Sequence, residues 1–241
     1  MGRALAALLL VAGCGRLAFD PRTDGGASMD NDAGDDAATP TGFQTLCGFK
    51  ALTVIQDGLP ADDYAGGRLQ VVLANTCANG QAQRTVSQDM TGILDPTTNR
   101  PLLATDDLAL VGGGDAYQRV NGYFLTTSAW PIVATMGATM FTWSDRSDGT
   151  EIFTAPYSSL TGTHDYGLVF LVRDPVGDAS MLTAWGTGAP GTVAAAYLFE
   201  TMIAPALSTD RYGWYVLEWT NGDGDPNPTP GDTLTVLASG T

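Results

Sequence analysis

The sequence predicts an α/β fold: a single Rossmann-like mixed sheet with flanking helices and antiparallel strands toward the C-terminus. Three observations carry that expectation. Short apolar runs alternate with helical stretches through the first half, one strong helix appears late, and two strands around a turn-rich loop close the chain. The folding unit is residues 43–241, roughly 200 residues, enough for one domain with a sizeable core.

Taken in order, Ala51-Leu52-Thr53-Val54-Ile55 reads as a buried strand. Asp62-Asp63 then opens a helical stretch in which Tyr64, Leu69, Val72 and Leu73 share one face, with Gly66-Gly67 weakening its first turns. Leu108 to Val111 is a second strand. It ends in Gly112-Gly113-Gly114, and Asp115 is placed to cap a helix running to about Thr126. Ile132 to Met136 and Thr139 to Trp143 read as strands around a turn at Gly137. Gly167 to Val172 is another buried strand, followed by Met181 to Trp185. Pro190 to Met202 holds Ala194-Ala195-Ala196 and reads as a helix with its proline near the start. Tyr212 to Trp219 and Leu234 to Leu237 are the late strands, and no internal repeat is visible.

The first 42 residues have a different character. Arg3 precedes an apolar run from Ala4 to Val11, closed by Val11-Ala12-Gly13-Cys14. The run is much shorter than the roughly 20 apolar residues of a membrane-spanning helix and has the layout of a cleavable export signal. Small residues before a cysteine resemble the lipobox of bacterial lipoprotein signal peptides. The resemblance implies that residues 1–13 are removed and that Cys14 carries acyl chains on its sulfur and amine, several together anchoring firmly. Gly15 stands where a retention aspartate would, which implies the outer membrane. Residues 14–42 then read as a tether: Gly15 to Gly42 holds six aspartates and almost nothing that could be buried, a composition that stays disordered.

Charge excludes some partners. The chain carries a formal charge of -15, or -16 once Arg3 is removed, with Lys50 its single lysine and no basic cluster. A phosphate backbone would be repelled, so nucleic acid is not an expected partner. Anionic headgroups would be repelled too, leaving the lipid as the membrane contact. After Cys14 only Cys47 and Cys77 remain. In an exported chain they pair as a disulfide, closing a loop of about 30 residues worth roughly 3 kcal/mol on the chain-entropy model.

No catalytic residue or cofactor is assigned. His164 is the one histidine, so a Ser-His-Asp arrangement would need it beside Asp165, yet no serine sits in a G-x-S-x-G elbow. Thr163-His164-Asp165-Tyr166 reads as a polar turn before a strand. The glycines at 112–114 invite a dinucleotide site, but the third fingerprint glycine falls on Tyr117, and Asp115 stands where a pyrophosphate needs open positive field. Asn221, Asp223, Asp225, Asn227 and Asp232 occupy positions 1, 3, 5, 7 and 12 of a loop with calcium-ligand spacing. Pro226 replaces the glycine at position 6, so a turn-built hairpin loop is the plainer reading. Trp130, Trp143, Trp185, Trp214 and Trp219, with Tyr212 and Tyr215, fit either a core or a sugar-binding surface. Glu151, Glu200 and Glu218 are the only glutamates, and nothing in the sequence pairs two of them as a glycosidase would require.

One longer resemblance joins several segments. Leu108 to Phe124 sets a strand, a Gly-rich turn and an amphipathic helix in order. Asp165 to Pro175 is a strand ending before proline, Met181 to Gly186 a strand ending in glycine, and Gly191-Thr192 leads into alanines. This order is similar to the Rossmann-like domain of archaeal S-layer proteins. The resemblance implies a surface-coat or assembly role without catalysis. Together with the lipobox it gives the expectation of a lipid-anchored envelope protein that binds another envelope protein. The alternatives are a glycan-binding lipoprotein using exposed aromatics and a carboxylate hydrolase.

Overall fold

The computed structural model describes residues 42–241 apart from 79, 88 and 114–118. Cys14, the tether before residue 42 and the capping role of Asp115 lie outside the described residues. A 3₁₀ turn, Phe43–Gly48, precedes β1 (Ala51–Gln56), α1 (Pro60–Thr76), β2 (Ala82–Ser87), β3 (Asp107–Gly112) and α2 (Arg119–Thr126). There follow β4 (Ile132–Met136), β5 (Met140–Asp145), β6 (Glu151–Pro156), β7 (His164–Arg173) and β8 (Ser180–Gly186). The chain ends with α3 (Ala189–Leu198), β9 (Trp214–Thr220) and β10 (Thr233–Gly240).

The fold is mixed α/β. Seven strands form one sheet in the order β10-β9-β7-β8-β3-β1-β2. β2, β1, β3 and β8 are mutually parallel, while β7, β9 and β10 add antiparallel pairings. Every residue of β3 is buried, as is nearly all of β8. A sheet covered on both faces takes such continuous apolar runs. On one face lie α1, α3 and the Phe43–Gly48 turn, burying Phe43, Leu69, Leu73, Phe199 and Trp219. On the other lie α2 and the segment around Met90 and Leu103, with Phe124, Trp130 and Trp143 buried.

Four expectations need correction. β4 and β5 do not extend the main sheet; with β6 they form a separate antiparallel sheet, β4-β5-β6. The cause is their alternation. Phe141 and Trp143 point inward at 0% exposure while Thr135 and Thr154 face solvent, a pattern for covering a core from one side. Tyr64 leaves the buried face of α1 and is 50% exposed, whereas Leu69, Val72 and Leu73 pack. Gly66, read as a weakness, permits close docking: a Cβ there would stand 3.3 Å from Val54 Cγ1 and 3.4 Å from the Gly112 nitrogen. α1 also begins earlier than Asp62, with Pro60 in its first turn.

The strand directions divide the molecule into two ends. β1, β3, β8 and β9 finish at one end, where β7 begins, so Asp57, Gly113, Gly186, His164 and the 221–232 loop gather there. Gly42 and Thr241 lie at the other. The Phe43 amide donates to the Tyr212 carbonyl (2.8 Å) and the Gly213 amide to the Gly240 carbonyl (2.7 Å). The disulfide Cys47–Cys77 ties the 3₁₀ turn to the C-terminus of α1 across a Cα–Cα distance of 5.1 Å.

Candidate functional site

The end of the sheet where the parallel strands finish is the usual place for ligands in open α/β sheets. His164 and Asp165 are neighbours on β7, so they project to opposite faces of the sheet and cannot act as a catalytic pair. Asp165 is 2% exposed. Its Oδ1 accepts the Tyr166 amide (2.8 Å) and its Oδ2 the Gly191 amide (2.9 Å) in the first turn of α3. The helix has no cap of its own at Gly188, so a carboxylate from the next strand supplies it. Burial pushes the Asp165 carboxyl up to about 6 while the amides of Gly191, Tyr166 and Gly188 pull it down.

On the opposite face, His164 Nδ1 lies 2.8 Å from the Ser159 carbonyl oxygen and Nε2 lies 2.7 Å from Glu218 Oε1. Glu218 reaches it because β7 and β9 pair antiparallel, bringing together residues 54 apart in sequence. The serine presents its carbonyl to the imidazole, and the Ser159 hydroxyl instead donates to the Pro156 carbonyl (2.7 Å). His164 thus joins the 157–159 turn to β9 through polar contacts.

At the β1/β3 switch point the chain fills its own anion positions. Asp63 Oδ1 accepts the amides of Asp57 (3.2 Å) and Gly58 (3.3 Å). Gly113 has φ 96°, and a Cβ there would overlap the carboxylate of buried Asp62. Gly112-Gly113 is thus needed for close approach of α1, and an acid lies where a dinucleotide would place its pyrophosphate. Asn121, fully buried in α2, donates to the Gly113 carbonyl (2.8 Å) and completes the turn. Burial, with the charge of Asp63, raises the Asp57 carboxyl against the pull of the Leu59 amide and Arg119.

The five candidate calcium ligands fall in the β9–β10 connection. Asn221 Oδ1 accepts the Asp223 and Gly224 amides, Asp223 Oδ1 the Asp225 amide, and Asp225 Oδ1 the Asn227 amide. Asp232 Oδ2 accepts Trp219 Nε1 (3.0 Å) and the Thr229 amide, and its Oδ1 the Gly222 amide. Among the described residues, no group of three or more His, Cys, Asp or Glu is placed to hold a metal ion. Asp232 is the keystone, because its loss orphans the indole N–H of a fully buried tryptophan. Asp232→Ala is expected to cost about 1–3 kcal/mol in urea unfolding, and Asp223→Ala about 0.5 kcal/mol, because its loop is exposed. Millimolar calcium is expected to leave the melting temperature of wild type and Asp223→Ala equally unmoved.

All five tryptophans are buried, none more than 4% exposed. Trp143 stacks on Trp185 at 4.9 Å and Trp130 meets Trp185 edge-on at 5.2 Å, cementing the small sheet to the large one. A sugar platform built on tryptophan therefore has no exposed ring; Tyr212, 45% exposed, lies at the opposite end from the loops, and Tyr215 is buried beside it. The glutamates are likewise dispersed. Glu200 takes a bidentate contact from Arg68, with Nε at 2.7 Å, on the α1/α3 face, whereas Glu218 lies on the other face. Sequence reasoning also missed two polar ties. Arg84, Thr53 and Asp107 link β2, β1 and β3, and Tyr123 donates to buried Asp174 (2.6 Å). Neither has a short-range signal, since the partners are 23 to 54 residues apart. No protein-family model matches the chain, and no curated protein matches it.

Proposed function

We propose that this chain is a lipid-anchored protein of the bacterial cell envelope, held in the outer membrane by acyl chains on Cys14. Its acidic α/β domain has a structural, adhesive or surface-assembly role and turns over no substrate. The anchor rests on the Val11-Ala12-Gly13-Cys14 pattern after a short apolar run, and the absence of a basic cluster leaves lipid as its membrane contact. The observation that carries the presentation reading is the placement of the chain ends. Gly42 lies at the end of the sheet opposite the loops at 57–63, 187–191 and 221–232. A tether leaving at Gly42 would hold those loops outward, toward another envelope component. The acids of the 57–63 and 221–232 loops favour a partner with a cationic or hydrogen-bond-donating face, and like-charged surfaces would be rejected.

Cells expressing the chain and fed an alkyne fatty acid are expected to label the wild type and to leave Cys14→Ala unlabelled, with the variant lost from the membrane fraction. Equal labelling of both would remove the anchor from the account. Binding of an immobilised glycan by the wild type that vanishes in Tyr212→Ala would favour the glycan-binding alternative.

A further inference from the structure

The one histidine of the chain has an oxygen acceptor on each ring nitrogen, Ser159 O on Nδ1 and Glu218 Oε1 on Nε2. A carbonyl oxygen has no proton to give, and the Glu218 carboxylate also faces the Tyr166 hydroxyl at 3.4 Å. Both contacts are hydrogen bonds only when both ring nitrogens carry protons, as they do in imidazolium. A neutral ring has one N–H and turns a lone pair toward one of the two acceptors. Facing a carboxylate with that lone pair costs more than facing a neutral carbonyl, so the remaining proton stays on Nε2.

We propose that His164 is a proton-operated latch, which as imidazolium holds the 157–163 segment against β9 and as neutral imidazole releases the segment at Ser159.

The surroundings fit a latch. Tyr157 is fixed by its amide to the Thr139 carbonyl (3.0 Å), and Thr161 pairs with His164 through backbone bonds, so the turn between them is held at both ends. Glu218 faces the imidazole from β9, the Ser159 carbonyl from the 157–159 turn, and the Tyr166 ring packs edge-on at 5.1 Å from β7 itself. Asp165 acts only through space, its oxygens being turned to α3. β10 brings Thr235 opposite Glu218 and no charge. Thr163 accepts the Asn221 amide (2.9 Å), so the segment abuts the 221–232 loop at the end away from the chain termini. Burial lowers the imidazole pKa, but the bonds to Glu218 and Ser159 and the charges of Glu218 and Asp165 outweigh it and raise the net value. The latch is therefore fully closed below the ordinary histidine value of about 6.5 and opens as pH rises through the raised one.

The single histidine makes the test unambiguous. Imidazole nitrogen resonances of the full-length, nitrogen-15-labelled chain in detergent are followed from pH 5 to 9, with amide exchange of peptides covering 157–163 corrected for intrinsic rates. The expected result is a midpoint above about 6.5, an Nε2–H tautomer beyond it, and exchange at 158–161 rising about tenfold across the same midpoint. Glu218→Gln is expected to bring the midpoint down and the exchange step with it. A wild-type midpoint at or below the ordinary value, an Nδ1–H tautomer, or exchange that ignores the titration would each overturn the latch.

Discussion

Gly191→Val is expected to cost about 3 kcal/mol or more. A Cβ at Gly191 would overlap the Tyr166 carbonyl oxygen and stand 3.0 Å from Asp165 Cγ. Neither neighbour can yield. The Tyr166 carbonyl accepts the Thr187 amide (3.0 Å), and the Asp165 carboxylate is fixed by the two amides it caps. Moving α3 outward instead would uncover Ala194, Ala195, Ala196 and Leu198, all buried against the sheet, and would break the cap as well. The close approach is general along this contact, since a Cβ at Gly167 would come within 2.7 Å of the Gly191 carbonyl oxygen. Gly67→Ala is the control. It lies in α1 with nothing within 4 Å of a new Cβ, and should gain about 0.5–1 kcal/mol from helix propensity. Urea unfolding of the three proteins checks both signs, and a Gly191→Val variant as stable as wild type would refute the docking geometry.

Removing the disulfide is expected to be next in size. The bond closes a separation of 30 residues, and its loss should cost about 3 kcal/mol, or about 6–12 °C in Tm for a domain of this size. The effect reaches further than the turn it closes. Phe43 stacks on Tyr215 with ring centroids 5.8 Å apart and meets Phe199 edge-on at 6.2 Å, so the crosslinked turn also seals the core under α3. A reductant should lower the Tm of wild type and leave that of a Cys47→Ser/Cys77→Ser variant unchanged. If the variant and wild type melt together without reductant, the crosslink contributes nothing to stability.

What could be read from the sequence was set by how locally each feature is encoded. The strands at 51–55, 108–111, 167–172 and 181–185 were legible because they are covered on both faces and so are almost wholly apolar, broken only by the buried threonines Thr53 and Thr183. The disulfide was legible by counting cysteines. β2 was missed because Ala82–Ser87 is an exposed edge strand in which only Val86 is a large apolar residue. β6 was missed because Glu151–Pro156 is half exposed and ends in proline. That β4 and β5 leave the main sheet is a tertiary choice, visible only once Phe141 and Trp143 have a sheet to cover. The site was less legible than the fold. Asp165 looked like a partner for His164, and only the two-residue period of β7 separates them; the Glu218 contact depends on the β7/β9 register. For the tryptophans, one sequence suits a core or a platform, and the packing between the two sheets decides.

Intact-mass spectrometry of the protein purified from the outer-membrane fraction of its native cell is expected to show a chain that begins at Cys14 and carries the added mass of its acyl chains. A full-length, unacylated chain recovered from the cytosol would contradict the lipid anchor.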